Sequence, residues 1–154
     1  MIKKQTIGRN DKADFPEFRL EEIDIKMDTG AYTSAIHCRE IKTKEVDGKE
    51  VLFFTLLDPS HQQYNKQEFS TEKFSQKSVK NSFGGSEKRF VIKTTILLFE
   101  KEHPIALSLS ERGEMKFPIL IGRKFLMKRF IVDSALTNLS HKKKSNPVDP
   151  NNNQ

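Results

Sequence analysis

Ile23-Asp24-Ile25-Lys26-Met27-Asp28-Thr29-Gly30-Ala31 is the stretch that decides the fold. Ile23, Ile25 and Met27 alternate with Asp24 and Lys26, the period-two pattern of a half-buried strand. The strand runs into a tight turn at Asp28, where Gly30 is expected to adopt a backbone conformation that a residue with a Cβ resists. A carboxylate held at a strand end by a glycine turn suits acid–base catalysis. Asp is also a common turn residue at such places. The motif therefore takes its weight from a second segment, far downstream.

That segment is Phe117-Pro118-Ile119-Leu120-Ile121-Gly122-Arg123. An apolar strand over Ile119 to Ile121 ends on Gly122. Helical spacing follows over residues 123 to 129, and Phe130-Ile131-Val132 reads as a last strand. Between the two segments, Val46-Asp47-Gly48-Lys49 is a hairpin signal, because Asp-Gly suits a two-residue primed turn. Phe90 to Phe99 alternates, with Ile92, Thr94, Ile96 and Leu98 on one face. Its expected partner is Ile105 to Leu109, across a turn at Glu100-Lys101-Glu102-His103. Short strands dominate, so the class is all-β with one short C-terminal helix.

This order of blocks resembles the retropepsin-like aspartic peptidases, the fold of retroviral proteases. It is most similar to a bacterial retropepsin-like group often called ATP-dependent zinc proteases. The resemblance runs over roughly residues 6 to 139. It is carried by Ile7-Gly8-Arg9, Asp28-Thr29-Gly30-Ala31-Tyr32-Thr33-Ser34-Ala35-Ile36-His37, Val79-Lys80-Asn81-Ser82, Arg89-Phe90-Val91-Ile92-Lys93-Thr94-Thr95, Ile121-Gly122-Arg123 and Phe130-Ile131-Val132-Asp133. It implies a closed β-barrel and an aspartic endopeptidase in which Asp28 is catalytic. Thr29, Gly30 and Ala31 would support the active loop. Phe83, Gly84 and Gly85 would form a flap over the substrate, and Arg123 would serve as a structural ion-pair residue near a subunit contact. Ala31 stands where many aspartic peptidases carry Ser or Thr, which points to activity nearer neutral pH.

Such chemistry needs two carboxylates sharing one proton. With one Asp-Thr-Gly per chain, a symmetric homodimer bringing two copies of Asp28 together is implied. Asp133 is the rival second carboxylate, but it follows a strand without a glycine turn and reads as a strand terminator. Relatives of this group are associated with a ligase that adds glutamates, which implies a peptide or protein substrate of acidic or glutamate-tailed kind.

Composition sets the outer bounds. A chain of 154 residues reads as one domain. Residues 1–14 read as a polar arm, 15–139 as the peptidase domain with 39–78 as an insertion relative to retroviral proteases, and 140–154 as a disordered basic and polar tail. The net charge of +6 is first a solvated basic surface and second an attraction for acidic partners. No apolar run is long enough for a membrane span, and Met1 to Thr6 does not read as a signal peptide. A single Cys38 fits a reducing compartment, so a cytoplasmic location is expected.

Other chemistries find little footing. His37, His61, His103 and His141 lack metal-ligand spacing, and adjacent His37 and Cys38 would point to opposite faces of a strand. No metal or other cofactor is expected. Gly84-Gly85-Ser86-Glu87-Lys88 lacks the form of a phosphate loop. Ser34 and Ser108 belong to no serine-hydrolase pattern, and nothing marks Cys38 as activated. The alternative is a non-catalytic basic β-barrel that binds a partner or dimerises. A nucleic-acid role is disfavoured, because the Phe residues interleave with aliphatics as core positions do.

Overall fold

A computed structural model describes residues 3–80, 83–111 and 116–145. The elements in chain order are β1 (Gln5–Gly8), β2 (Asn10–Phe15), a 3-10 turn (Pro16–Phe18), β3 (Leu20–Met27), β4 (Ser34–Val46), β5 (Lys49–Leu56) and β6 (Glu68–Thr71). After them come β7 (Ser75–Lys80), β8 (Ser86–Leu98), β9 (Lys101–Ser110), β10 (Ile119–Ile121), α1 (Arg123–Leu126), β11 (Phe130–Asp133) and α2 (Leu139–Ser145). Over the described residues the chain is mostly β, with two short α-helices rather than the one expected. None of the described helices is long and apolar enough to cross a membrane.

Most strands join one sheet in the order β10-β3-β2-β8-β9-β4-β5-β6, with β7 paired to β8. β10 lies parallel to β3 on one side and antiparallel to β4 on the other, so the path from β10 round to β4 returns to β10. Inside lie Ile25, Ile36, Ile96, Leu107, Ile119 and Ile121, all fully buried. In β3 Ile23, Ile25 and Met27 are buried as the alternation requires, and Leu20 joins them across an irregularity in the β2–β3 pairing at Glu22, whose φ is 48°. Slipping that strand by one residue would expose this row and bury Asp24 and Lys26. Each apolar side chain contributes about 1.5–3 kcal/mol on burial, more than strand propensity offers, so burial sets the register.

The hairpin at Asp47-Gly48 forms as expected. Both residues have positive φ, 52° and 79°, the primed geometry that matches the strand twist. β8 buries Ile92, Thr94, Ile96 and Leu98 on one face. Its turn to β9 is tighter than the sequence suggested: Leu98 pairs with Lys101, and Phe99-Glu100 turn with φ of 50° and 62°. Lys101, Glu102 and His103 already belong to β9.

Two boundaries differ from expectation. Residues 1–14 are not an arm, since β1 and β2 lie there. β1 pairs in parallel with β11, Thr6 opposite Ile131, and Ile7, Asp11 and Ala13 are buried. Residues 140–145 are not disordered but helical, and α2 is tied down by Asp11. The Asp11 carboxylate accepts the N–H groups of Ser140 at 2.8 Å and His141 at 3.1 Å, while Ser140 Oγ accepts the N–H of Phe99. Residues 146–154 lie outside the described residues. Residues 39–78 supply the outer part of β4, β5, β6 and the first half of β7, with Phe18, Phe54 and Phe69 packed together beneath them.

Candidate active site

The site starts where β3 ends. Met27 and Ile121 are opposite each other in parallel strands, and the Asp28 N–H donates to the Ile121 carbonyl at 2.8 Å. The Met27 N–H donates to the carbonyl of Arg9, which anchors the strand end from the other side. The chain then turns: the Ala31 N–H donates to the Asp28 carbonyl at 3.2 Å, and the Gly30 N–H donates to Asp28 Oδ1 at 3.1 Å. Asp28 is half-buried, and Thr29 and Gly30 are exposed. The carboxylate is therefore presented at the surface by a turn that also donates to it.

Gly30 does not have the left-handed φ that the sequence suggested. A Cβ there would sit 3.4 Å from Asp28 Oδ1, an ordinary contact with the carboxylate. Of the two glycines of this unit, Gly122 is the one without room: a Cβ there would lie 2.6 Å from the Tyr32 carbonyl oxygen. Its N–H donates to Ser34 Oγ at 2.9 Å, inside the fold. The first N–H groups of α1 also serve this loop, from Arg123 to the Ala31 carbonyl at 2.8 Å and from Lys124 to the Tyr32 carbonyl at 2.9 Å. Residues 28–34 and 119–124 thus form one hydrogen-bonded unit, the two stretches the sequence singled out.

Arg123 does not act as an ion-pair residue within the described residues. Its Nη1 donates to the Thr29 carbonyl at 2.9 Å, and its guanidinium carbon lies 5.9 Å from the Tyr32 ring centre. Asp133 ends β11 as a strand terminator, its Oδ1 accepting the N–H of Ala135 at 2.9 Å. The expected flap lies at the tip of the β7–β8 hairpin, where Lys80 is opposite Ser86. Phe83 is 95% exposed and Gly84 has φ of 85°, a conformation that favours glycine. Asn81 and Ser82 lie outside the described residues.

Two grooves adjoin the unit. One, of about 290 Å³, is lined by Ser34, Lys93, Lys124 and Phe125. The other, of about 610 Å³, is lined by Glu17, Lys73, Phe74, Ser75, Lys93 and Lys124. Asp28 lines neither, and Lys124 beside Arg123 connects both to its loop. Lys73, Lys93 and Lys124 form no ion pair with any described carboxylate.

His37 and Cys38 do not fit a zinc site. His37 Nε2 lies 2.8 Å from Asp58 Oδ2, and Nδ1 faces the Ser110 carbonyl at 3.3 Å. Cys38 is buried, with its thiol directed at the Ile36 carbonyl, and burial pushes that thiol far above its ordinary range. Sequence reasoning missed the parts played by Arg9, Tyr32 and Ser34. Only the spacing of Ser34, two residues before Ile36 on the same strand face, carries a local signal.

The match that decides the family is to the model of the retropepsin-like aspartic endopeptidase RimB, over residues 6–143. The chain belongs to the RimB-like family. Its RimB-like region is also similar to longer proteins. A probable alpha-L-glutamate ligase of Desulfotalea psychrophila is 37% identical over 88% of this chain, and a namesake from Parasynechococcus marenigrum is 28% identical over 86%. The chain spans only 29% and 28% of their lengths. A crystal structure of a Legionella pneumophila protein of unknown function shares the RimB-like fold with a TM-score of 0.71 and 27% identity. That match covers 90% of this chain and 99% of the other.

Proposed function

We propose that the chain is an aspartic endopeptidase that works as a homodimer, with Asp28 supplied by each subunit. The observation that carries the reading is the Asp28 loop itself. A carboxylate at a strand end receives the Gly30 N–H and is locked from behind by the Gly122-Arg123 block. In the reaction one Asp28 carboxylate takes a proton from water as the water oxygen bonds to the scissile carbonyl carbon. The other, protonated, donates to the carbonyl oxygen. Collapse of the tetrahedral intermediate breaks the C–N bond, with a proton passing to the leaving nitrogen.

The subunit contact is assigned to the region of β11. Ile131 and Met127 expose apolar surface there, at 56% and 52%. An acidic, glutamate-rich peptide is the proposed substrate. The basic groove lined by Lys73, Lys93 and Lys124 supports this. So does the likeness to a stretch of proteins named as glutamate ligases. The working location is proposed to be the cytoplasm. Cleavage profiling on a peptide library that includes acidic sequences, with wild type beside Asp28→Asn, tests the reading. Hydrolysis by the wild type that vanishes in a folded Asp28→Asn supports it. Equal hydrolysis by both overturns it.

A further inference from the structure

We infer that Lys77 is a positioning residue that ties the root of the β7–β8 flap to the Asp28 loop. Lys77 lies mid-way along β7, opposite Arg89 of β8. Its ammonium donates to Thr33 Oγ1 and sits 5.0 Å from the centre of the Tyr32 ring. Tyr32 and Thr33 directly precede β4 and follow the Asp28 turn. The same ring takes Arg123, which in turn holds the Thr29 carbonyl. A continuous set of contacts therefore runs from the flap strand to the residue after Asp28.

The chemistry of the tie suits a lysine. An ammonium has three donors, so it can bond a hydroxyl and still face the negative surface of an aromatic ring. Among the described residues β7 pairs only with β8, so its backbone there gives the hairpin no second attachment to the sheet. The Lys77 side chain supplies one, toward the loop that the flap must cover. Residues beyond it, including Phe83 and Gly84, lie past the anchor. The result is a hairpin root held against the Asp28 loop, which a substrate cover requires. Because Lys77 touches the loop rather than the peptide, it acts on the rate through alignment, and small misplacements of reacting groups are costly.

This rests on the peptidase reading, and its test separates the two. The chain has two tyrosines, Tyr32 and Tyr64, and no tryptophan. In a Tyr64→Phe background, tyrosine emission reports Tyr32 alone. Lys77→Met keeps the length of the side chain and removes the charge, whereas Lys77→Arg keeps a cation that can both donate and stack. Acrylamide should quench Tyr32 faster in Lys77→Met than in the background protein, with Lys77→Arg close to the background. On a cleaved peptide, Lys77→Met should lower kcat about tenfold or more with the smaller change in KM, and Lys77→Arg should recover most of it. Unchanged quenching in a folded Lys77→Met overturns the tie. Faster quenching with unaltered kcat overturns the positioning role. If the background protein cleaves no peptide at all, the peptidase reading fails, and with it the positioning role. The quenching result then still decides the tie.

Discussion

Arg123 Nη1 donates to the carbonyl of Thr29 at 2.9 Å across 94 residues of sequence. It binds the residue after Asp28 to the start of α1, so the loop takes its position from β10 and the short helix. The bond is exposed, and its net worth to folding is about 1 kcal/mol. Its value lies in aim. Arg123→Lys should leave the melting temperature within a few degrees yet lower kcat/KM about tenfold, because an ammonium cannot reproduce the planar donor set that meets both carbonyl and ring. Melting curves beside peptide turnover check this, and an active Arg123→Lys would remove the aiming role.

The two glycines of the site should separate stability from chemistry. Gly122→Ala places a methyl 2.6 Å from the Tyr32 carbonyl, against backbone that cannot swing aside. It should destabilise the fold by about 1–3 kcal/mol. Gly30→Ala meets Asp28 Oδ1 at 3.4 Å, an ordinary contact, and requires no left-handed backbone. It should cost less than about 1 kcal/mol of stability while reducing turnover, since its methyl lies against the reacting carboxylate. Urea titration of both variants decides, and the reverse ranking would contradict the packing described.

Stability should decline from neutral pH toward acid. Burial holds the His61 and His103 imidazoles below their ordinary 6.5. Below that value the unfolded chain binds their protons more readily than the folded one, so each step down in pH favours unfolding. Asp58 acts later in the same direction. The Ser60 hydroxyl and N–H, with a smaller part from His37, hold its carboxyl below the ordinary 3.8. Its contribution is present above 3.8 and is lost as pH falls through the folded-state value. Urea midpoints at pH 7.5, 6 and 4.5 should fall in that order. A flat or rising series would contradict the burial of the two imidazoles.

Chelators and nucleotide depletion should leave cleavage intact. Cys38 is a buried thiol, and His37 is committed to Asp58 and the Ser110 carbonyl. A stoichiometric metal whose removal abolishes turnover, measured by elemental analysis and assay together, would show that this pair had been misread.

What could be read from the sequence was local. The alternation of Ile23, Ile25 and Met27, that of Ile92 to Leu98, and the Asp47-Gly48 turn each report burial or backbone geometry within a few residues. The Asp28 and Gly122-Arg123 stretches were legible as strand ends and as blocks in a set order, but no local pattern shows that they meet. Residues 1–14 were misread because Lys3, Lys4, Lys12 and Asp14 outweigh Ile7 and Ala13 in composition. No local pattern shows that the carboxylate of Asp11 lies buried under α2. The Phe99-Glu100 turn was displaced because Lys101, Glu102 and His103 look like a polar loop although they pair with β8. Tyr32 and Lys77 were invisible for a different reason. Their roles arise from contacts between elements distant in sequence, and neither residue type is distinctive alone.

The central claim is that each active site takes one Asp28 from each of two chains, and subunit mixing tests it most directly. Wild type and Asp28→Asn are allowed to exchange subunits at fixed total concentration, and peptide turnover is measured against the wild-type fraction. A dyad shared across the two-fold axis requires turnover to follow the square of that fraction, so an equal mixture should retain about a quarter of full activity. Turnover proportional to the wild-type fraction, with about half remaining in the equal mixture, would mean that one chain is sufficient and would contradict the account.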